Sequence, residues 1–98
     1  MLRGWFDAAE AMAFAREIAR DIDRLFPRDG SQKAISPKKE QKKLDGVARR
    51  TRAFAHGHRL NVYKKAKLLN TVKWELREAG HEEKLVDEIV SFLTPLLT

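Results

Sequence analysis

The sequence contains no cysteine, and it has only three prolines and five glycines in 98 residues. Without cysteine the chain forms neither a disulfide nor a thiolate metal site, which suits a reducing compartment. The glycines are dispersed, so the sequence has no phosphate-cradling glycine loop. No apolar run approaches the roughly 18 residues that a membrane-spanning helix requires.

The N-terminal residues do not resemble a secretory signal. Asp7 and Glu10 interrupt the apolar run that such a signal requires, and we therefore expect a cytoplasmic protein. The three serines fall at an expected turn, a helix cap and a late helix position, so no nucleophile–base arrangement is visible. The sequence thus predicts no enzyme, no cofactor and no small-molecule substrate.

Histidine offers only weak candidates for metal binding. Glu78 and His81 have the Glu-x-x-His spacing of di-iron bundles, but those sites need two such pairs and two further glutamates. Gly80 also predicts a helix end between the two residues. His56 and His58 flank Gly57 and are typical of a polar turn. We therefore predict no metal site.

The hydrophobic pattern predicts an all-α protein. A chain of 98 residues favours one domain, residues 1–98. Apolar residues recur at spacings of three and four, and none of the segments alternates as a half-buried strand does. The predicted helices span residues 7–26, 37–56, 61–79 and 82–94. Their short connections predict a compact antiparallel bundle of about four helices.

Helix ends and buried faces follow from the same pattern. Asp7, Ser36 and Asn61 are suitable N-caps, Pro37 suits a first helical position, and Gly57 and Gly80 are suitable stops. The predicted buried face of the second helix is Leu44, Val47, Ala48, Thr51, Phe54 and Ala55. That of the third helix is Val62, Ala66, Leu69, Val72, Leu76 and Ala79.

Positive charge is concentrated in the middle third of the chain. Residues 33–67 carry twelve lysines and arginines against Glu40 and Asp45, whereas acids outnumber bases on both sides. Such a localised positive field attracts nucleic acid, an acidic protein or an anionic membrane.

These bases form a candidate anion-binding or nucleic-acid-binding face on the second and third helices. In the second helix they lie opposite the apolar residues, so they are expected in solvent. Neutralising phosphates releases counterions, which gives sequence-independent affinity for nucleic acid. A solvated face and a site for an acidic partner remain the alternatives. The candidate residues are Lys38, Lys39, Lys42, Lys43, Arg49, Arg50, Arg52, Arg59, Lys64 and Lys67.

A second candidate surface lies on the third helix. Tyr63, Lys67, Asn70 and Trp74 step by four, three and four residues, so they share one side of the helix, away from its predicted core face. Bases of single-stranded nucleic acid could stack there. Packing within the bundle or a subunit interface also favours Tyr and Trp. We take Tyr63, Asn70 and Trp74 as candidate interface residues.

These patterns predict a non-enzymatic binding or adaptor module. Its partner is expected to be a macromolecule, either another protein or a second copy of the chain. A nucleic-acid-binding protein is the alternative.

Overall fold

The computed structural model describes residues 2–26, 41–58 and 60–97, with side chains from Ala8 in the first range and Lys42 in the second. Within these ranges the chain is helical and has no strand, which confirms the predicted all-α bundle. The helices are α1 (Leu2–Leu25), α2 (Gln41–Gly57), α3 (Val62–Glu78) and α4 (Glu83–Leu93), followed by a 3-10 turn (Thr94–Leu97).

Helix α1 starts earlier than predicted. Residues 2–6 contain no proline, so no residue forces the helix to begin at Asp7, and α1 extends back to Leu2. Asp7 therefore lies inside the helix and is not its N-cap, which corrects that prediction. The predicted cap of the second helix at Ser36 and Pro37 lies outside the described residues.

The buried face of α1 is made mostly of small side chains. Ala8, Ala11, Ala15 and Ala19 are buried together with Ile18 and Ile22. Alanine projects little from the helix cylinder, so a neighbouring helix can approach closely. The neighbour is α3, which makes the most extensive contact with α1 in the bundle.

Two polar contacts show the relative direction of α1 and α3, one made by α3 itself and one by His81, which follows it. Along both segments the contacting residues advance in the same direction. Arg16 Nε lies 3.7 Å from a Glu75 carboxylate oxygen, and Asp23 lies 2.7 Å from the ring of His81. These two helices, which are not consecutive in the chain, therefore run parallel. Consecutive helices alternate in direction, as predicted for a bundle with short connections.

Helix α2 runs antiparallel to α1. The rings of Phe14 and Phe54 stack with centroids 4.3 Å apart, while His58 Nε2 lies 3.2 Å from Glu10. Leu44, Val47 and Thr51 are buried as predicted, and the Thr51 hydroxyl donates to the Val47 carbonyl at 2.8 Å. The helix ends at the predicted Gly57.

The buried face of α3 differs from the predicted one. Leu68, Val72 and Leu76 are buried, whereas Val62 and Ala66 are exposed and Leu69 is half-buried. Residues 62, 66, 69, 72 and 76 have helical spacing, but so does the alternative row that contains Leu68. Contact with α1 and α4 selects the row that buries Leu68.

The chain turns sharply between α3 and α4. Gly80 has a φ of +97°, in the left-handed region that glycine adopts without the strain of a Cβ. The Gly80 amide donates to the Arg77 carbonyl and the His81 amide donates to the Leu76 carbonyl, at 3.0 and 3.1 Å. This is a Schellman C-cap, and it confirms that α3 stops at Gly80.

Helix α4 and the 3-10 turn close the other side of the core. Val86, Ile89, Leu93 and Leu97 are buried, and the turn packs against both α4 and α2. The helical hydrogen bonding changes to 3-10 at Thr94, just before Pro95, which lacks the amide hydrogen that a continuing α-helix requires. None of the described helices is both long enough and apolar enough to cross a bilayer.

Candidate macromolecule-binding surfaces

The outer face of α3 carries the residues that we call the aromatic strip: Tyr63, Lys67, Asn70 and Trp74. They lie opposite the buried row of Leu68, Val72 and Leu76. Tyr63 is 59% exposed and Trp74 is 62% exposed. Neither aromatic ring packs in the bundle core, so the structure leaves the strip available to a binding partner.

Exposed large apolar side chains are concentrated on this helix. In the part of the chain that the structure describes they are Val62, Tyr63 and Trp74, and all three belong to α3. Val62, which is 83% exposed, was predicted to be buried, and it extends the apolar character of α3 at its N-terminal end. Sequence reasoning missed this residue because its spacing from Leu69 and Leu76 matched a core position.

Lys67 is held against one of the two rings. Its Nζ atom lies 5.7 Å from the centroid of Tyr63, one turn away on the same helix. This is the geometry of a cation–π contact, which at an exposed site is worth about 0.5–1 kcal/mol. The lysine is half-buried, so its alkyl chain covers part of the surface between Tyr63 and Trp74.

A shallow groove of about 400 Å³ runs beside the strip, between α1 and α3. Met12 and Arg16 line its α1 side, and Thr71 and Glu75 line its α3 side. The Arg16–Glu75 ion pair joins the two helices. The groove thus combines apolar side chains with charges of both signs.

The basic residues of α2 are exposed as predicted. Lys42, Lys43, Arg49, Arg50 and Arg52 all have exposed side chains. Arg50 is engaged by α1: it forms ion pairs with Asp21 and, at 3.5 Å, with Glu17. Lys42, Arg49 and Arg52 have no ion-pair or hydrogen-bond partner among the described residues.

The remaining predicted bases have different surroundings. Lys64 and Lys67 are half-buried on α3. Lys38, Lys39 and Arg59 lie outside the described residues. Helix α2 packs mainly on α1 and the 3-10 turn, whereas α3 packs on α1 and α4. The bases of α2 and the bases of α3 therefore lie on helices that pack against different parts of the bundle.

A second depression lies where α2 meets the C-terminal turn. It has a volume of about 260 Å³, and Arg52 and His56, one turn apart, border it together with Ala55. Pro95, Leu96 and Leu97 form the opposite wall. No sequence signal could have found this cleft, because its two sides are about forty residues apart in the chain.

His81 makes a buried contact with Asp23 of α1. Its side chain is fully buried, and its Nε2 atom lies 2.7 Å from Asp23 Oδ1. Among the described residues, its Nδ1 atom has no hydrogen-bond partner. Glu78, the residue paired with it by sequence spacing, is exposed. The described residues contain no group of three potential ligands for a metal.

His58 likewise makes contacts that its position in a polar turn did not indicate. Its ring stacks on Phe54 with centroids 4.1 Å apart, and Nδ1 lies 3.0 Å from the Phe54 carbonyl oxygen. Through its contact with Glu10, at 3.2 Å, it also joins the C-terminal end of α2 to α1.

Comparison of the chain with models of known protein families gave no match, and searches among curated proteins and among solved structures gave none either. Any function must therefore be inferred from the residues themselves.

Proposed function

We propose that this chain is a non-enzymatic binding module whose outer α3 face docks a protein partner, either a different protein or a second copy of the chain. One observation carries the proposal: the exposed large apolar side chains of the described residues, Val62, Tyr63 and Trp74, all belong to α3. Exposed apolar side chains that lie together on one face are typical of interaction surfaces, and Tyr63 and Trp74 share the outer face of α3.

The chemistry of the strip supports a protein partner. Tyr and Trp are enriched at the centres of protein interfaces, where truncating one to alanine commonly costs about 2 kcal/mol or more of binding free energy. Each ring can bury roughly 150–250 Å² of surface. The adjoining groove offers Met12 as an apolar contact for a partner side chain.

The charges around the strip are mixed in sign. Arg16 and Glu75 both line the groove, and Lys67 belongs to the strip. A phosphate chain would meet a carboxylate as well as bases there, whereas a protein partner can supply either sign of charge.

Self-association is tested by sedimentation velocity over a range of protein concentrations. If the partner is a second copy, the wild-type protein forms a dimer and Trp74→Ala is monomeric at the same concentrations. Arg49→Ala is the matched control, because it truncates an exposed long side chain on α2. A dimer that persists in both Trp74→Ala and Tyr63→Ala would place the interface elsewhere.

A different protein partner is tested by cross-linking. A photoreactive phenylalanine analogue replaces Tyr63 in one variant and exposed Ala53 of α2 in the other. We expect an adduct of defined mass from position 63, absent from position 53 and lost when Trp74→Ala is added. Equal yields of adduct from both positions would contradict the proposal. So would an adduct from position 63 whose yield is unchanged by Trp74→Ala.

A further inference from the structure

The positive charges of α2 fall into two groups with different environments. Arg50 faces α1, where Glu17 and Asp21 neutralise it. Lys42, Arg49 and Arg52 are exposed and have no ion-pair partner among the residues described. The charge of Arg50 is thus neutralised within the fold, whereas the charges of Lys42, Arg49 and Arg52 are not paired with described residues.

The outer bases have a regular spacing. Lys42, Arg49 and His56 follow one another at intervals of seven residues, which is close to two helical turns, and they form a row about 21 Å long. Arg52 lies beside the row. Asp45 is the single acid on this side of the helix, so the face remains net positive.

The surface between these bases carries no large apolar group. Gly46 and Ala53 occupy the positions between them, and both are exposed. A Cβ at Gly46 would meet no atom within 4 Å, so packing inside the bundle does not explain a glycine in mid-helix. Glycine in that position weakens a helix but allows close approach of another molecule.

One end of the row opens into a concave site. Arg52 and His56 border the cleft of about 260 Å³ that α2 forms with Pro95 and Leu96. A guanidinium and an imidazole one turn apart can both donate hydrogen bonds to one anionic group. A phosphate can therefore be seated at this end while others lie along the row.

We propose that the outer face of α2 binds the phosphate backbone of double-stranded DNA. Lys42, Arg49 and Arg52 are the contacts along the helix, His56 and Arg52 hold the terminal phosphate, and Gly46 is the point of closest approach. This function goes beyond docking at the aromatic strip and does not depend on it.

The composition of the face favours a duplex over single-stranded nucleic acid and over a protein partner. Single-stranded nucleic acid is usually held by aromatic stacking, and the outer face of α2 has no aromatic ring other than the imidazole of His56. A protein interface needs an apolar or aromatic centre, which this face also lacks. Because these bases are proposed to contact phosphates and not base edges, the binding is expected to be independent of sequence.

The test is a fluorescence-anisotropy titration of a short labelled duplex at several salt concentrations. In Arg49→Gln/Arg52→Gln the affinity should fall roughly tenfold or more, and the slope of log affinity against log salt should decrease by about 2, since two phosphate contacts are lost. The matched control is Arg20→Gln/Arg24→Gln, which removes the same charge from exposed positions on α1. That control should keep the wild-type slope.

Gly46→Leu separates docking from folding. Leucine is a better helix former than glycine, and its Cβ would meet no atom within 4 Å at this exposed position, so the midpoint of urea unfolding should be unchanged or higher. The affinity for the duplex should nevertheless fall severalfold, because the leucine side chain would hold the DNA phosphate backbone away from α2. Unchanged affinity in this variant would overturn the assignment of the contact surface.

Four further outcomes decide the proposal. Equal losses in the α1 and α2 arginine pairs would show attraction to net charge alone and overturn it. Equal binding of a poly-glutamate peptide, or no duplex binding at low salt, would also overturn it. Wild-type duplex affinity in Trp74→Ala would support it, because that variant removes the protein-docking residue and leaves α2 intact.

Discussion

The contact between His81 and Asp23 joins two distant parts of the chain at the level of single side chains. The Schellman motif fixes the backbone of His81 just after Gly80, at a position where an apolar residue often packs back on the helix. Here the residue is a fully buried histidine, and its Nε2 atom reaches Asp23 at 2.7 Å. The contact ties the C-terminal part of α1 to the corner between α3 and α4.

Replacing Asp23 by alanine should destabilise the protein. The buried ring nitrogen of His81 would lose its partner, and an unsatisfied buried polar group costs about 1–3 kcal/mol. The free energy of unfolding is measured by urea denaturation followed by circular dichroism. Glu17→Ala, which removes a more exposed ion-pair partner, is the control and should cost about 1 kcal/mol or less.

The double variant Asp23→Ala/His81→Leu should recover much of that loss. Leucine needs no hydrogen bond, and it can make the apolar contact that a Schellman motif usually has. The double variant is therefore expected to be more stable than Asp23→Ala alone. If the two substitutions simply added, the 2.7 Å contact would contribute no coupling energy.

At the scale of whole elements, the pairing of α1 with α3 depends on small side chains. Ala15 is fully buried on the core side of α1, whereas Ala13, two residues earlier, is exposed. The same residue type thus has two roles on one helix. On the outer side alanine only favours the helical conformation, and on the inner side it also sets how closely the helices approach.

Ala15→Leu should therefore destabilise the bundle while Ala13→Leu should not. An added isobutyl group at a filled position forces the helices apart or forces strained rotamers, at a cost of about 1–3 kcal/mol. At position 13 the added group extends into solvent, so a change within about 0.5 kcal/mol is expected. Urea unfolding of both variants measures the difference, and equal stability would contradict the close packing described for α1 and α3.

At the scale of the whole molecule, α2 is attached at two places. Its inner side contacts α1 through side chains such as Phe54 on Phe14, and its C-terminal half packs against the 3-10 turn that ends the fold. The contact of α1 with α3 is more extensive. Removing one of the two attachments should thus affect α2 more than the rest of the bundle.

Leu97→Ala is expected to loosen α2 selectively. Leu97 is buried in the 3-10 turn, and truncating a buried leucine costs roughly 2–5 kcal/mol. Hydrogen exchange should show loss of protection at the amides of α2 before those of α1 and α3. Thr94→Ala is the control at an exposed position of the same turn. A uniform loss across all helices would show that the bundle opens as one unit.

The sequence predicted the helices well wherever a local signal defined them. Asn61 caps α3 as expected, its side chain accepting a hydrogen bond from the Lys64 amide at 2.8 Å, and Gly57 and Gly80 mark the ends of α2 and α3. Caps and stops act over a few residues, so a single sequence contains them in full. The start of α1 was wrong because Asp7 suits a cap but does not compel one.

The aromatic strip and the exposure of the α2 bases were also found from sequence. Both depend on which residues share one side of a helix, and that follows from the 3.6-residue period alone. The partners of individual bases did not follow from it. Arg50 and Arg49 are adjacent and chemically identical, yet only Arg50 meets the carboxylates of α1.

The sequence by itself determined the helical class of this protein, most helix ends and the separation of an aromatic helix face from a basic one. These properties arise from backbone preferences and from side-chain spacing within single helices. Tertiary packing is what places α1 parallel to α3 and brings His81 to Asp23. It also buries Leu68 and leaves Val62, which was predicted to be buried, exposed. Those outcomes depend on contacts between residues far apart in the chain, and such contacts form only when the helices pack.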